Sequence, residues 1–204
     1  MQIGTAGFTA AIAIDKMLLN KQKINSGPIL ISGATGGVGS IAINILDNLG
    51  FEVIAATRKK NSKGYLRKIG SHKVMLLDNN FNKKFLNHKV FAGSIDNVGG
   101  NLLDWIIKST YDNGNIVSVG MASSYNLNTT IFPLIMRGVN ILGVSSTNYP
   151  NSKRKFVWGK LSEVYKPTKL NIINKKSIEL TDIKKYSKIL LSGKNTGKVI
   201  IKNF

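Results

Sequence analysis

The residues with the most chemistry to offer form a run of glycines. Gly33-Ala34-Thr35-Gly36-Gly37-Val38-Gly39 stands between an apolar run, Pro28–Gly33 (PILISG), and a stretch in which Val38, Ile41, Ala42, Ile45, Leu46 and Leu49 recur at three- and four-residue steps before Gly50. The first pattern reads as a buried parallel strand and the second as one apolar helix face. At such a junction glycines permit a tight turn and let the backbone approach a ligand closely, while the unpaired N–H groups opening the helix attract negative charge. A diphosphate is the expected occupant, with Gly36, Gly37 and Gly39 as the primary contacts. The plain alternative is that these glycines serve only the packing of helix on strand.

A second group sits at the end of the next apolar run, Phe51–Ala56 (FEVIAA), where Thr57-Arg58-Lys59-Lys60 follows. In dinucleotide-binding units this place reads the adenosine ribose: an acidic side chain accepts from a 2′-hydroxyl, and a basic one pairs with a 2′-phosphate. Arg58 lies 19 residues beyond Gly39, close to the roughly 20 expected for the ribose-reading position. NADPH is therefore the expected cofactor. The competing reading makes Arg58 and Lys59 ordinary surface charges of a lysine-rich chain, which suits Lys60 but does not account for the missing acid.

Two further sites offer chemistry. Asp96-Asn97-Val98-Gly99-Gly100 closes the strand-like run Gly93–Val98, where ligands bind at the carboxyl edge of such sheets. Asp96 either borders the nicotinamide or caps a helix. Tyr149 and Lys153 have the spacing of the catalytic pair of short-chain dehydrogenases. That chemistry needs both side chains one helical turn apart, whereas Pro150 directly after Tyr149 marks a turn or a helix start. Tyr149 also follows the sixth expected strand, too late in the topology for that role, so the spacing is read as coincidence.

The elements that must position these groups alternate along the chain. MQIGTAGFTAAIAIDKMLLN reads as an amphipathic helix and not a signal peptide, because no basic segment precedes the apolar stretch and Asp15 and Lys16 follow it. Strands are expected at Pro28–Gly33, Phe51–Ala56, Lys73–Leu77, Gly93–Val98, Asn115–Val119 and Val139–Val144. Helices are expected at Gly37–Leu49, Ser62–Ile69, Asn101–Ser109 and Thr129–Met136, with a polar stretch around 79–89. Six strands alternating with helices specify an α/β fold, a doubly wound parallel sheet of the Rossmann type, over residues 1–148. Residues 149–204 change texture: a basic helix over Asn151–Tyr165, a strand at 175–180, a helix near Thr181–Leu191 and a strand at Lys198–Lys202. Two short strands that cannot complete a core must pack on the main sheet or on an absent second domain. Their unpaired edges favour dimerisation or association with a separate catalytic domain.

Composition narrows the classes. The 204 residues suffice for one domain with an appendage, and 43% hydrophobic content is enough for a core. No apolar run approaches the roughly 20 residues of a membrane span, which leaves a cytoplasmic protein as the default. The chain has no cysteine and only His72 and His88 as histidines, excluding thiolate chemistry and multi-histidine zinc sites. The net charge of +19 comes from 25 Lys and only 4 Arg, beside 22 Asn and 25 Ile. That is compositional skew, not a nucleic-acid surface, which favours Arg and interleaved aromatics. The field can still steer phosphorylated small molecules, an effect that salt weakens.

GTAGFTAAIAI at Gly4–Ile14, ISGATGGVGSIAINIL at Ile31–Leu46, YLRKIGSHKV at Tyr65–Val74, FAGSIDNVGG at Phe91–Gly100 and PLIMRGVNILGVSS at Pro133–Ser146 together resemble the medium-chain dehydrogenase/reductase superfamily. More narrowly they resemble its zinc-free, quinone-oxidoreductase-like branch, which contains the NADPH-dependent acrylyl-CoA reductases. The resemblance implies reduction of a conjugated enoyl thioester or a quinone. It implies cofactor contacts from Gly36, Gly37, Val38, Gly39 and Ser40, from Thr57, Arg58 and Lys59 around the 2′-phosphate, and from Lys73, Met121, Ile135 and Ser146. It assigns no catalytic residue here. Members of that family begin with a barrel-like catalytic domain, so the resemblance implies a cofactor-binding part whose catalytic half is missing, with a catalytically inert fragment or partner subunit as the rival expectation.

Overall fold

A computed structural model describes residues 2–78, 81, 84–174 and 176–202. Six strands, β1 (Ile29–Ile31), β2 (Val53–Thr57), β3 (Lys73–Leu76), β4 (Phe91–Asp96), β5 (Thr110–Ser118) and β6 (Asn140–Gly143), form one sheet in the order β3-β2-β1-β4-β5-β6. Every pairing is parallel. The chain runs outward from β1 to β3 and then returns to lay β4 on the other side of β1. The order therefore reverses between β1 and β4, the place where such sheets open a crevice at their carboxyl ends.

Side chains along a strand alternate between faces, and β1 feeds two cores. Ile29 and Ile31 join α1 (Gly4–Leu19), α2 (Gly37–Asn48) and the C-terminal segment on one face, whereas Leu30 joins Ile106, Ile107 and Ile116 around α4 (Gly100–Ser109) on the other. The two remaining helices of the main unit are short, α3 (Lys63–Lys68) and α5 (Phe132–Arg137). The expected strand at Gly93–Val98 begins earlier, at Phe91, and ends at Asp96, so Asn97 and Val98 belong to the loop leaving the sheet.

The first helix departs from its expected amphipathic character. Residues Phe8–Asp15 and Met17 are all buried, because α2 covers one flank and α6 (Asn151–Ser162) the other. A helix apolar nearly all round is a buried one. Phe8 is the pivot. Its ring stacks on Trp158 at 5.3 Å between centroids, meets Tyr149 edge-on at 5.7 Å and lies 4.5 Å beneath the Arg154 guanidinium. The charged residue that suggested an outer face, Asp15, is itself buried. Its carboxylate pairs with the Lys160 ammonium and accepts the Tyr165 hydroxyl at 3.2 Å. Burial, followed by the charge of Asp15, pushes the Tyr165 phenol well above its ordinary range.

The C-terminal segment contains α6, α7 (Leu170–Ile173), β7 (Lys176–Ile178), α8 (Ile183–Leu191) and β8 (Val199–Ile201). Its strands pair in parallel with each other and not with the main sheet. The short α7, unanticipated from sequence, packs on α2. Lys175, placed in the expected strand, lies outside the described residues, as do 79, 80, 82 and 83 of the polar stretch. Among the described residues no helix is long and apolar enough to cross a membrane.

Phe8→Ala is expected to lower the unfolding free energy by about 3–5 kcal/mol, the cost of emptying an aromatic core site. Urea denaturation followed by circular dichroism measures it, and a loss below about 1 kcal/mol would show that α1 is not the element joining sheet and tail.

Candidate functional site

The carboxyl ends of the strands open into a cleft of about 970 Å³. Its floor is the turn between β1 and α2. Gly33 has φ +57°, a left-handed conformation that a side chain resists, and a Cβ at Gly39 would lie 2.6 Å from the Gly33 carbonyl oxygen. Strand and helix therefore approach to backbone contact. The turn is held from below by Ser40, whose buried hydroxyl donates to the Ala34 carbonyl at 3.1 Å and accepts from Tyr65 at 2.8 Å. Burial raises the Tyr65 phenol pKa, an effect the Ser40 bond partly offsets. The opening amides of α2, at Gly37, Val38 and Gly39, have no partner within the helix, and no side chain caps them. They line the cleft, and amides opening a helix form an anion-binding arrangement.

Of the residues expected from sequence, Gly36, Gly37, Val38, Gly39, Thr57, Arg58, Lys59, Met121 and Ser146 all line this cleft. Three others are not brought to it. Ser40 is fully buried beneath the turn and braces it. Lys73 begins β3 opposite Ile54, whereas Thr57 at the cleft end of β2 is opposite Leu76. Three residues of strand, about 10 Å, separate Lys73 from the rim. Ile135 projects from α5, 70% exposed. Asp96 does not line the cleft; it is buried beneath, and its place is at the helix end, where its oxygens accept the Val98 and Gly99 amides leading into α4, besides the Ser32 hydroxyl. Tyr149 precedes α6 and Lys153 lies within it, so the two do not share a helical face. Both border a separate depression of about 600 Å³ between α1 and β6.

The basic pair divides its roles. Arg58 is exposed where the cleft meets a smaller cavity of about 300 Å³ lined by Leu77, Phe81, Asn101 and Ser124. Lys59 turns toward the tail, its ammonium donating to the Asn195 carbonyl, and burial lowers its pKa. That contact reveals the part of the site that sequence reasoning missed. Leu190, Ser192, Gly193, Asn195 and Gly197 form one wall of the cleft. The Gly197 amide donates to the Thr35 carbonyl of the glycine turn at 2.9 Å. Lys198, its pKa lowered by burial, donates to the carbonyls of Gln2 and Ile3 at 2.6 and 2.8 Å. Gly193 and Gly197, both with positive φ, signal turns in the sequence, but nothing local signals where those turns dock.

Burial raises the Asp96 pKa more than its three hydrogen bonds lower it. The folded chain therefore holds this proton more tightly than the unfolded chain. The associated stability is full below the ordinary aspartate value and is lost as pH rises through the higher native one. Unfolding free energies of wild type and Asp96→Asn, measured by urea denaturation across mildly acidic pH, are expected to show this decline in wild type only; parallel profiles would contradict it.

The chain matches the family described as "Zinc-binding dehydrogenase" over residues 37–163. Acrylyl-CoA reductase AcuI of Ruegeria pomeroyi is 32% identical over 98% of this chain and 61% of its own length. The crystal structure of Escherichia coli YhdH with bound NADPH superposes with a TM-score of 0.93 at 30% identity, covering 99% of this chain and 62% of that one. Bacillus subtilis YhfP with NAD bound gives a TM-score of 0.93 at 32% identity, over 100% of this chain and 62% of that one. The chain thus spans about 62% of the length of these relatives. Among the described residues no group of three or more His, Asp or Glu side chains could hold a metal ion.

Proposed function

The chain belongs to the zinc-binding dehydrogenase family, in the zinc-free branch of the medium-chain dehydrogenase/reductase superfamily, and from that footing we propose that it is the NADPH-binding part of a reductase acting on a conjugated enoyl thioester or a quinone. The observation that carries the reading is that one cleft joins the uncapped amides of Gly37, Val38 and Gly39 to the cationic end of β2 at Arg58 and Lys59. Amides at a helix N-terminus suit a diphosphate. Two cations with no acid at the ribose-reading position suit a 2′-phosphate.

When bound, the reduced nicotinamide supplies a hydride to the electrophilic carbon of a conjugated carbonyl. The chain's own residues bind and orient. The glycine turn would fix the diphosphate, Arg58 and Lys59 the adenosine end, and Val119, Gly120, Met121 and Ser146 would flank the other end of the same cleft. Among the described residues, no aspartate, glutamate, histidine or tyrosine lines the cleft to give the product a proton. Orientation of the two reactants and exclusion of water are thus the contributions this part of the enzyme makes. An acyl-CoA substrate is favoured by the relationship to AcuI, and the strongly basic composition suits a polyanionic thioester.

Fluorescence titration with NADPH and NADH tests the cofactor. A hydrogen bond to a charged group is worth about 1.5–3 kcal/mol, so NADPH is expected to bind at least about ten-fold more tightly, and Arg58→Glu to remove the preference while sparing NADH. Equal affinity of wild type for the two would overturn the assignment. Assays with acryloyl-CoA and a quinone then decide between the substrates.

A further inference from the structure

Ser32 and Asp96 face each other across β1 and β4, at the point where the strand order reverses, and both are completely buried. The Ser32 hydroxyl donates to Asp96 Oδ1 at 2.5 Å. The same carboxylate accepts the Val98 amide at 3.3 Å and the Gly99 amide at 2.8 Å. Ser32 Oγ in turn accepts the Asn97 amide at 2.8 Å, and Asn97 Nδ2 donates back to the Ser32 carbonyl at 2.8 Å. The Asp96 carbonyl receives the amides of Val119 at 2.8 Å and Gly120 at 3.2 Å.

These bonds tie together three segments: the exit of β1 into the glycine turn, the exit of β4 into α4, and the exit of β5. All three line the cleft, through Gly33, through Asn97 and Val98, and through Val119 and Gly120. Their spacing has little slack. A Cβ at Gly33 would sit 3.1 Å from that of Asn97, and one at Gly120 would sit 2.7 Å from the Asn97 carbonyl oxygen. Helix capping alone does not call for a fully buried carboxylate, which is costly to desolvate. Three donors converging on one side chain do, because only a carboxylate offers acceptors on both of its oxygens; an amide would turn its NH₂ toward one of them.

We infer that Asp96, acting through Ser32 and Asn97, is a positioning residue that holds the diphosphate-binding turn in register with the β4 and β5 loops, and so aligns the two halves of the bound dinucleotide. The inference rests on the proposed NADPH reading of the cleft. The adenosine end lies outside its reach: the turn is tied to β2 separately, by the Ala34 amide on the Ala56 carbonyl at 3.3 Å, and Arg58 follows β2.

The test compares two ligands, NADPH and adenosine 2′,5′-bisphosphate, which lacks the nicotinamide half. Isothermal titration of the full chain is run on wild type, Asp96→Asn and Ser32→Ala, with circular dichroism and thermal melts to establish folding. Both variants are expected to bind NADPH about ten-fold or more weakly while holding the bisphosphate within about two-fold of wild type. Should Asp96→Asn fail to fold, the smaller Ser32→Ala change decides. Unchanged NADPH affinity in a folded variant, or an equal loss for both ligands, overturns the alignment role and leaves the cofactor reading standing. Failure of wild type to bind NADPH overturns the cofactor reading and the inference with it.

Discussion

The site depends on how closely a strand and a helix approach. Between β1 and α2 the backbones touch, because Gly39 sits where any side chain would meet the Gly33 carbonyl. That contact aims the first amides of α2 into the cleft. Those amides carry partial positive charge, sit at the end of the helix dipole and have no internal partner. Such a set of amides suits an anion of diphosphate geometry. Ser40 and Tyr65 hold the turn from beneath, and the Gly197 amide holds it from the side.

The rest of the fold arranges for that turn to stand beside other useful groups. The reversal of strand order between β1 and β4 parts the loops on either side and leaves room for a ligand. Hydrogen bonds across the gap, through Ser32, Asp96 and Asn97, keep the loops at a fixed distance. The buried first helix, gripped through Phe8 and Asp15, ties the sheet to the C-terminal segment, and that segment supplies a wall. The glycine turn and the docked tail are thereby parts of one contact network.

How far this was legible in the sequence follows from the range of the interactions. The β1–turn–α2 unit is local, and glycine spacing beside apolar periodicity reveals it. Arg58 and Lys59 likewise follow from their distance along the chain. Lys73 shows what strand register adds: the resemblance implies it as a cofactor contact, and the register sets it opposite Ile54, three residues of strand from the cleft end of β3. Ile135, exposed on α5, and Ser40, buried beneath the turn, are likewise expected from the resemblance, and helix orientation and burial set both outside the cleft lining. The tail is the clearest case. Its helices and strands are visible as patterns, yet the bond from Gly197 to Thr35 closes a very long loop, and nothing local encodes it. The first helix misled through Asp15, whose partners, Lys160 and Tyr165, are equally remote.

The amide turn is tested most directly by nitrogen–proton correlation spectra of the isotopically labelled chain during titration with NADPH. The largest shifts are expected at the amides of Gly36, Gly37, Val38 and Gly39, saturating together with those of the Arg58 region. If these amides stay unmoved while the perturbations gather around Tyr149 and Lys153, the turn does not hold the diphosphate and the account fails.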